Sequence, residues 1–163
     1  MDVSETWTRL LGLVGRWEGT GRGFFPTLDD FDYREILNFS IDIDQSLLSY
    51  NQKTWRSADD GEVESHREAG FLGITAAGGL EMSGSHGVDR VEVLAGGMTP
   101  TEDGFILSLD SVVLGHDERM ISSWRTLVLA ADTLSYEMGM ATTAVPEGAQ
   151  HLHAGLKRKV WPR

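Results

Sequence analysis

Residues 15–27, Gly-Arg-Trp-Glu-Gly-Thr-Gly-Arg-Gly-Phe-Phe-Pro-Thr, decide how the chain is organised. Side chains alternate along a β-strand, so this stretch predicts a strand with one face made of Trp17, Gly19, Gly21 and Gly23. Glycine offers nothing to pack and loses the most entropy on folding, so three glycines on one face indicate that another surface comes close. Three surfaces would fit: a ligand, a helix or a strongly coiled sheet.

The glycine spacing also resembles a dinucleotide-binding loop, but its context argues against that interpretation. A loop of that kind leaves a strand and opens a helix. Here Phe25-Pro26-Thr27 and then Asp29-Asp30 follow the glycines. We therefore interpret the stretch as a strand.

A short helix is predicted before this strand. Apolar residues recur at helical spacing on one face, namely Trp7, Leu10, Leu11 and Val14. Ser4 is a suitable N-cap, because its hydroxyl can accept a hydrogen bond from the first turn. We expect this helix to close one end of the fold.

Strand patterns and tight turns fill the rest of the chain. Residues 31–41 alternate between apolar and polar, apart from Glu35 and Ile36, and predict a long strand with one buried face. Residues 45–56 predict the next strand, and Asp59-Asp60-Gly61 predicts the hairpin turn that leads into residues 64–74. Similar turn signals recur at 77–79, 85–87, 96–97, 103–104, 115–117 and 146–148.

These patterns predict about ten strands and one short helix, whereas an average sheet has about five to six strands. Ten strands joined by tight turns in 163 residues favour an antiparallel sheet that closes into a barrel, because closure removes exposed edges. We therefore predict an all-β fold with residues 1–163 in one domain. Its core is an antiparallel β-barrel with the helix at one end.

Composition limits the expected location and partners. No apolar run approaches the roughly 20 residues of a membrane span, and no signal peptide is evident, so we expect a cytoplasmic protein without membrane contact. A net charge of −11 argues against nucleic acid as a partner, because nucleic acid requires basic patches. The absence of cysteine excludes thiolate chemistry, so a metal must be held by His or carboxylates or arrive within a cofactor.

Histidines are the candidate ligands. His86 and His116 lie among Gly, Ser and Asp residues, and we interpret both as solvated surface residues. His151 and His153 are two residues apart and are predicted to point the same way on a strand. Such a pair is more often a surface pair than a metal site, and neither a Gly-x-Ser-x-Gly nor a His-Glu-x-x-His motif occurs. The residue chemistry alone thus predicts a barrel with an interior site, without defining a reaction.

Several motifs together indicate a family. The first block combines Gly15-x-Trp17-x-Gly19-x-Gly21 with Phe25-Pro26-Thr27-Leu28 and Phe31-x-Tyr33-x-Glu35. Further blocks follow in order: His66-Arg67-Glu68-Ala69-Gly70-Phe71, Val91-Glu92-Val93 before Gly96, Met140-Ala141-Thr142-Thr143 and His151-Leu152-His153-Ala154. This combination spans nearly the whole chain and resembles the nitrobindins, which are compact ten-stranded calycin-like barrels related in shape to fatty-acid-binding proteins.

The resemblance implies one haem b per chain at the barrel mouth, with ferric iron held by His151. It implies that Thr27 lines the haem site and that His66 and Met140 lie on the other side of the pocket. The implied activity is isomerisation of peroxynitrite to nitrate, with reversible binding of nitric oxide. In this interpretation His66 donates a hydrogen bond to the bound oxyanion.

Three glycines bear on this implied site. Gly19 and Gly21 are expected to border the mouth, where they would let a flat macrocycle approach the backbone. Family members commonly carry an arginine after the Gly-Phe block, whereas this chain has Gly73. A cationic contact is therefore either missing or supplied from elsewhere.

Strict alternation in the last strand conflicts with an inward His151. The apolar face of this strand is formed by Leu152, Ala154, Leu156 and Val160. His151 would then point outward, together with Lys157 and Lys159. Either a β-bulge resets the register after His151, or His151 lies at the rim before regular pairing begins.

Two other classes of function stay open at this point. One is a haem-free barrel that carries a small hydrophobic ligand, since such barrels enclose cavities and a fold does not determine a function. The other is a haem protein that senses or carries nitric oxide without turnover. The sequence also leaves open whether the chain is a monomer or a homodimer.

Overall fold

The computed structural model describes residues 2–42 and 46–160. An α-helix, Val3–Leu10 (α1), continues into one turn of 3₁₀-helix, Leu11–Leu13, and ten strands follow. The strands are β1 (Gly15–Phe25), β2 (Leu28–Asp42), β3 (Leu47–Ala58), β4 (Gly61–Ile74), β5 (Leu80–His86), β6 (Arg90–Pro100), β7 (Gly104–Gly115), β8 (Met120–Ala130), β9 (Thr133–Thr142) and β10 (Val145–Lys159). Gln45, where we predicted the third strand to begin, lies outside the described residues.

The ten strands form one closed antiparallel barrel, as the sequence predicts. Each strand pairs with its neighbours along the chain, and β1 pairs with β10 to close the ring. Consecutive strands run in opposite directions, so the turns that follow β1, β3, β5, β7 and β9 all lie at the end away from α1. No α-helix in the described part of the chain is long and apolar enough to cross a membrane.

The helical segment closes one end of the barrel, as expected. Leu10 and Leu13 are fully buried in the barrel core. The indole N–H of Trp17, which is also fully buried, donates to the Leu13 carbonyl at 2.8 Å. The Arg158 guanidinium stacks 4.2 Å above the Trp17 ring and donates to the backbone carbonyls of Gly12 and Val14 at 2.7 Å. These contacts connect the helical segment to the first and last strands.

The predicted N-cap residue is wrong by two positions. Asp2 caps α1, and its Oδ1 accepts a hydrogen bond of 2.7 Å from the backbone N–H of Glu5. Ser4 instead lies inside the first turn. A carboxylate at this position also interacts favourably with the positive end of the helix dipole.

The glycine face of β1 is approached closely, as predicted, by neighbouring parts of the barrel. A Cβ atom added to Gly21 would overlap the phenol ring of Tyr33, and one added to Gly23 would overlap the ring of Phe31. At Gly19 it would meet the backbone of β10. The glycines therefore allow β2 aromatic rings to lie over β1 and allow the sheet to coil tightly.

Polar and charged side chains occupy part of the barrel interior. Those buried on the strands are Glu35, Gln52, Thr54, Glu68, His86, Glu92, Ser123 and Arg125. Glu35 lies on the inner face of β2 together with Tyr33 and Leu37, so the alternation continues through the apparent break in the sequence pattern. The interior is thus apolar near α1 and polar toward the opposite end.

Candidate functional site

A wide cavity opens at the end of the barrel away from α1. Its volume is about 330 Å³. Ligand sites in proteins commonly span about 300–1,000 Å³. Its walls include three histidines, His66, His86 and His151, together with Tyr136 and Met138.

A β-bulge turns His151 toward this cavity. The pairing of β10 with β9 shifts between Gln150 and Leu152, so of the two arrangements that the sequence left open the structure has the bulge. The extra residue in β10 is His151. Its side chain therefore faces the cavity instead of the outer surface, and the apolar residues that follow keep their inward orientation. Val160 was wrongly assigned to that apolar face, because β10 ends at Lys159 and Val160 is 84% exposed.

The hydrogen bonding of His151 leaves one ring nitrogen available. Nδ1 lies 3.0 Å from the carbonyl oxygen of Phe24, and a carbonyl only accepts, so Nδ1 carries the proton. Burial lowers the pKa of His151, which favours the neutral ring with a lone pair on Nε2. The rings of Phe25 and Phe31, at centroid distances of 5.7 and 6.4 Å, pack against the imidazole. Nε2 is therefore a suitable ligand atom for a metal.

His153 does not share this orientation. It is exposed, whereas His151 lines the cavity, so the prediction that the two point the same way is wrong. The β-bulge is the reason, because its extra residue shifts the alternation of side chains, so that His151 and His153 lie on opposite faces of β10. His116 is exposed, as predicted.

The interpretation of His86 as a solvated surface residue is wrong. His86 is only 7% exposed, and burial lowers its pKa. Its Nε2 lies 3.0 Å from Oε1 of Glu92, and its Nδ1 lies 3.2 Å from Nε2 of His66. Polar neighbours made the segment resemble a turn, but β5 continues through His86 and directs the ring inward.

A buried cluster of charges supports the two histidines. Arg125 donates to Glu68 at 2.8 Å and also pairs with Glu92. Burial by itself would raise the pKa of Glu68, but the Arg125 guanidinium, together with His66 and His86, outweighs it and holds that pKa well below its usual range. For Glu92, the hydrogen bond with His86 and the charge of Arg125 likewise overcome burial and lower the pKa. Both carboxylates are therefore ionised inside the barrel.

A second polar group lies between this cluster and β1. The hydroxyl of Tyr136 donates to Glu35 at 2.5 Å and lies 2.8 Å from the hydroxyl of Tyr33. The side-chain N–H of Gln52 donates to the other oxygen of Glu35 at 2.8 Å. Burial raises the pKa of Glu35 to about 7. The two tyrosines and Gln52 also line the cavity, so this group places hydrogen-bonding side chains in the cavity wall.

The remaining predicted site residues, Thr27, Met140, Gly19 and Gly21, do not line the cavity of His151. Thr27 and Met140 line an adjoining cavity of about 360 Å³, which has part of its wall in common with the first. Met138, two residues before Met140 on β9, is the methionine that lines the cavity of His151. Gly19 and Gly21 line neither cavity, because β10 backbone and the Tyr33 ring cover them.

The mouth of the cavity is cationic despite the acidic chain. Arg56, Arg90 and Arg119 line it beside only two carboxylates, Asp89 and Asp117. Arg119 pairs with Asp117 at 2.9 Å. The wall thus has one positive charge in excess, against a net charge of −11 for the whole chain.

Gly73 lies far from this mouth. It stands near the end of β4 that is close to α1, beside the side chain of Leu47. The cationic contact that the sequence left open is therefore available from the three arginines at the mouth.

A closed antiparallel barrel with a histidine-lined cavity at one end defines a class of small-ligand-binding, calycin-like proteins. The family model described as a THAP4-like, heme-binding beta-barrel domain matches residues 6–158, and the chain belongs to this family. The resemblance to the nitrobindins is thereby confirmed, and haem is the cofactor of the domain.

Relatives and a solved structure agree with this assignment. A protein named peroxynitrite isomerase from Nocardia farcinica is 30% identical over 91% of this chain and 88% of its own length. Peroxynitrite isomerase 1 from Mycolicibacterium paratuberculosis is 32% identical over 97% of this chain and 98% of its own. The crystal structure of Rv2717c from M. tuberculosis has a TM-score of 0.85 and 28% identity, covering 94% of this chain and 96% of that one.

Proposed function

We propose that this chain is a haem-dependent peroxynitrite isomerase in which Nε2 of His151 binds the ferric iron of haem b. The observation on which this rests is the state of His151, a partly buried neutral imidazole whose lone pair is left on Nε2. Two full-length relatives that are named peroxynitrite isomerase support the activity. The haem-binding family supports the cofactor.

The residues around His151 suit a histidine that would hold haem iron. A haem-ligating histidine commonly donates its second ring N–H to a carbonyl or carboxylate, which fixes the tautomer and the ring plane. Phe24 supplies that carbonyl at 3.0 Å, and the rings of Phe25 and Phe31 restrict rotation of the imidazole. Bound haem supplies an iron centre that promotes rearrangement of the peroxynitrite O–O bond to nitrate.

The protein's own contribution is to attract and hold an anion. Arg56, Arg90 and Arg119 give the mouth a local positive charge, which favours entry of peroxynitrite into an otherwise acidic protein. His66 remains a predicted hydrogen-bond donor to that anion. Since its Nε2 faces His86, its Nδ1 is the atom left for the bond.

Thr27 and Met140 are proposed to contact the edge of the cofactor. They line the cavity that adjoins the one containing His151, and both cavities are bordered by Arg90. A macrocycle that spans both spaces would reach these side chains. Gly19 and Gly21 have a packing role in this proposal, because protein atoms already cover them.

The test compares His151→Ala with His153→Ala. Each variant of the full chain is titrated with ferric haem, and the Soret band is recorded. Decay of peroxynitrite and the yield of nitrate are then measured by stopped flow. We expect His151→Ala to lose the saturable Soret change and the isomerase activity, because it removes the proposed protein–iron bond. We expect His153→Ala to retain both, because His153 is exposed.

Thermal melts accompany the titration. Loss of the His151 ring should lower the free energy of unfolding within the common range of about 0.5–3 kcal/mol, so the barrel stays folded. A parent-like Soret band in His151→Ala would refute the ligand assignment. Nitric oxide binding by the haem protein without faster peroxynitrite decay would favour the sensor or carrier function. Absence of a Soret change in the parent would favour a haem-free carrier.

A further inference from the structure

A second group of ligand atoms converges in the cavity wall, on strands that do not include His151. His66 and Glu68 lie on β4, and His86 ends the neighbouring strand β5. Nδ1 of His86 is 3.2 Å from Nε2 of His66 and 3.4 Å from Oε2 of Glu68, and those two atoms are 3.9 Å apart. We propose that these three side chains bind a divalent transition-metal cation of the zinc type, separate from any haem iron.

The spacing of the three atoms matches such a cation. Zinc binds imidazole nitrogen at about 2.0–2.1 Å and carboxylate oxygen at about 2.0–2.2 Å, with tetrahedral geometry. Two ligands of one tetrahedral ion are then about 3.3–3.5 Å apart. Two of the three separations, 3.2 and 3.4 Å, lie close to this range. The third is 3.9 Å and involves His66, the partly exposed member, which has room to adjust.

The tautomer of His86 directs a lone pair toward the group. Its Nε2 lies 3.0 Å from the Glu92 carboxylate, which only accepts, so the proton lies on Nε2 and Nδ1 carries a lone pair that can bind a metal. Glu92 is itself held by Ser123 at 2.8 Å and by Arg125. A carboxylate behind a ligating histidine is the usual outer partner in metal sites, where it fixes the ring and increases its basicity.

Glu68 provides an independent observation. Its side chain is fully buried, and its Oε1 accepts from Tyr50 at 2.5 Å and from Arg125 at 2.8 Å. Its Oε2, which faces the two histidines, is buried and makes no hydrogen bond within the described part of the chain. A carboxyl oxygen that is buried without a hydrogen bond is costly, so it calls for a further partner. A bound cation would supply that partner.

The charges around the three ligand side chains favour binding of a cation, and one arginine competes for the same position. Among the fully buried charges, Glu68 and Glu92 face a single guanidinium, that of Arg125. The competitor is Arg90, whose Nη2 lies 3.2 Å from Nδ1 of His86. The same nitrogen lies 3.4 Å from Nε2 of His86. Arg90 is partly exposed, so entry of a metal would displace its guanidinium from His86 toward the mouth.

Two imidazoles and one carboxylate suit Zn²⁺, and the same set with open positions also suits Fe²⁺. Because His66 and His86 both line the cavity, the remaining coordination position would face it. A cation there would give a bound anion a Lewis-acidic partner in the cavity wall.

The experiment measures zinc directly, so it does not depend on haem binding or on activity. The full chain as purified is dialysed against a chelator and then against buffered Zn²⁺, and zinc and iron per chain are determined by atomic emission. We expect one zinc per chain. The zinc X-ray absorption edge should show two imidazole ligands and no sulfur.

Three variants locate the site. We expect His66→Ala to weaken zinc binding at least about 10-fold, because loss of even an outer-shell partner of a metal has an effect of that size. The variant should still fold, because His66 is partly exposed. His116→Ala, at an exposed position on the turn after β7, is the matched control and should bind zinc as the parent does. His151→Ala should lose haem but keep zinc, which separates failure of this proposal from failure of the proposed function.

Three results would overturn the proposal: less than half a zinc per chain in the parent, equal zinc binding by His66→Ala and the parent, or loss of zinc in His151→Ala. Glu92→Gln provides a further check on the outer shell. It should weaken zinc binding by about 10–100-fold if it stays folded by circular dichroism. Unchanged zinc binding in a folded Glu92→Gln variant would contradict the assigned tautomer of His86.

Discussion

Replacing Glu35 by glutamine should change how the stability of the barrel depends on pH. Glu35 is fully buried on the inner face of β2, and burial raises its pKa to about 7 from an ordinary value of 4.5. It accepts hydrogen bonds from Tyr136 and Gln52. A glutamine has the same shape as the protonated acid and can keep one donor and one acceptor in this group. The substitution therefore removes the titration and retains most of the packing.

The sign and size of the effect follow from the two pKa values. Between pH 4.5 and about 7 the unfolded chain releases the Glu35 proton while the folded chain keeps it. Stability of the parent therefore falls as pH rises through this window, and the loss is complete above the folded pKa. Each pH unit across the window contributes about 1.36 kcal/mol, which gives about 3 kcal/mol in total. The free energy of unfolding of the glutamine variant lacks this pH-dependent contribution, because glutamine does not titrate.

The assay is urea unfolding of the parent and Glu35→Gln at pH 5, 6, 7 and 8. All other titrating groups are common to both proteins, so they cancel in the difference between the two free energies of unfolding. That difference should shift in favour of the variant by about 2.5 kcal/mol from pH 5 to pH 8, because part of the total change occurs below pH 5. Glu147→Gln, at an exposed position, is the control and should show a constant difference. A constant difference for Glu35→Gln as well would refute the assignment of a buried, protonated Glu35.

Two further predictions concern stability and are checked by the same urea unfolding. Gly21→Ala should lower the free energy of unfolding by about 1–3 kcal/mol, because the new Cβ would overlap the Tyr33 ring. The control is Thr20→Ala at the exposed neighbouring position, which should lower the free energy of unfolding much less. Equal decreases for the two variants would contradict the packing role of the glycine. Asp2→Ala should cost about 1 kcal/mol through loss of the helix cap, whereas Ser4→Ala should be nearly neutral; the reverse order would restore Ser4 as the cap.

The sequence was sufficient for the architecture because the architecture depends on local patterns. Period-two alternation, tight-turn residues and a short apolar helical face are properties of neighbouring residues, and they gave ten antiparallel strands with a helix at one end. Even the bulge at His151 left a trace in the sequence. The apolar face of β10 was out of phase with the histidine, and one extra residue is the local way to resolve that conflict.

The interior polar groups could be located only in the tertiary structure. His86 and Glu35 have neighbours in the sequence that suggest a turn and a pattern break, yet both side chains are buried. Their partners, such as Glu92 for His86 and Tyr136 for Glu35, come from other strands. Alternation predicts which face a residue is on, but only closure of the barrel determines which inner faces meet.

The same reason explains the divided outcome for the predicted site. The sequence by itself determined the family, the fold and the candidate histidines, because these are encoded in motifs and periodicity. Only the tertiary structure showed that His151 and His66 line one cavity, that Thr27 and Met140 line the next, and that Gly21 lies beneath an aromatic ring. The first two relations join residues more than 80 positions apart in the chain, and the third joins residues of two paired strands, so all three depend on strand register and barrel closure rather than on any local pattern.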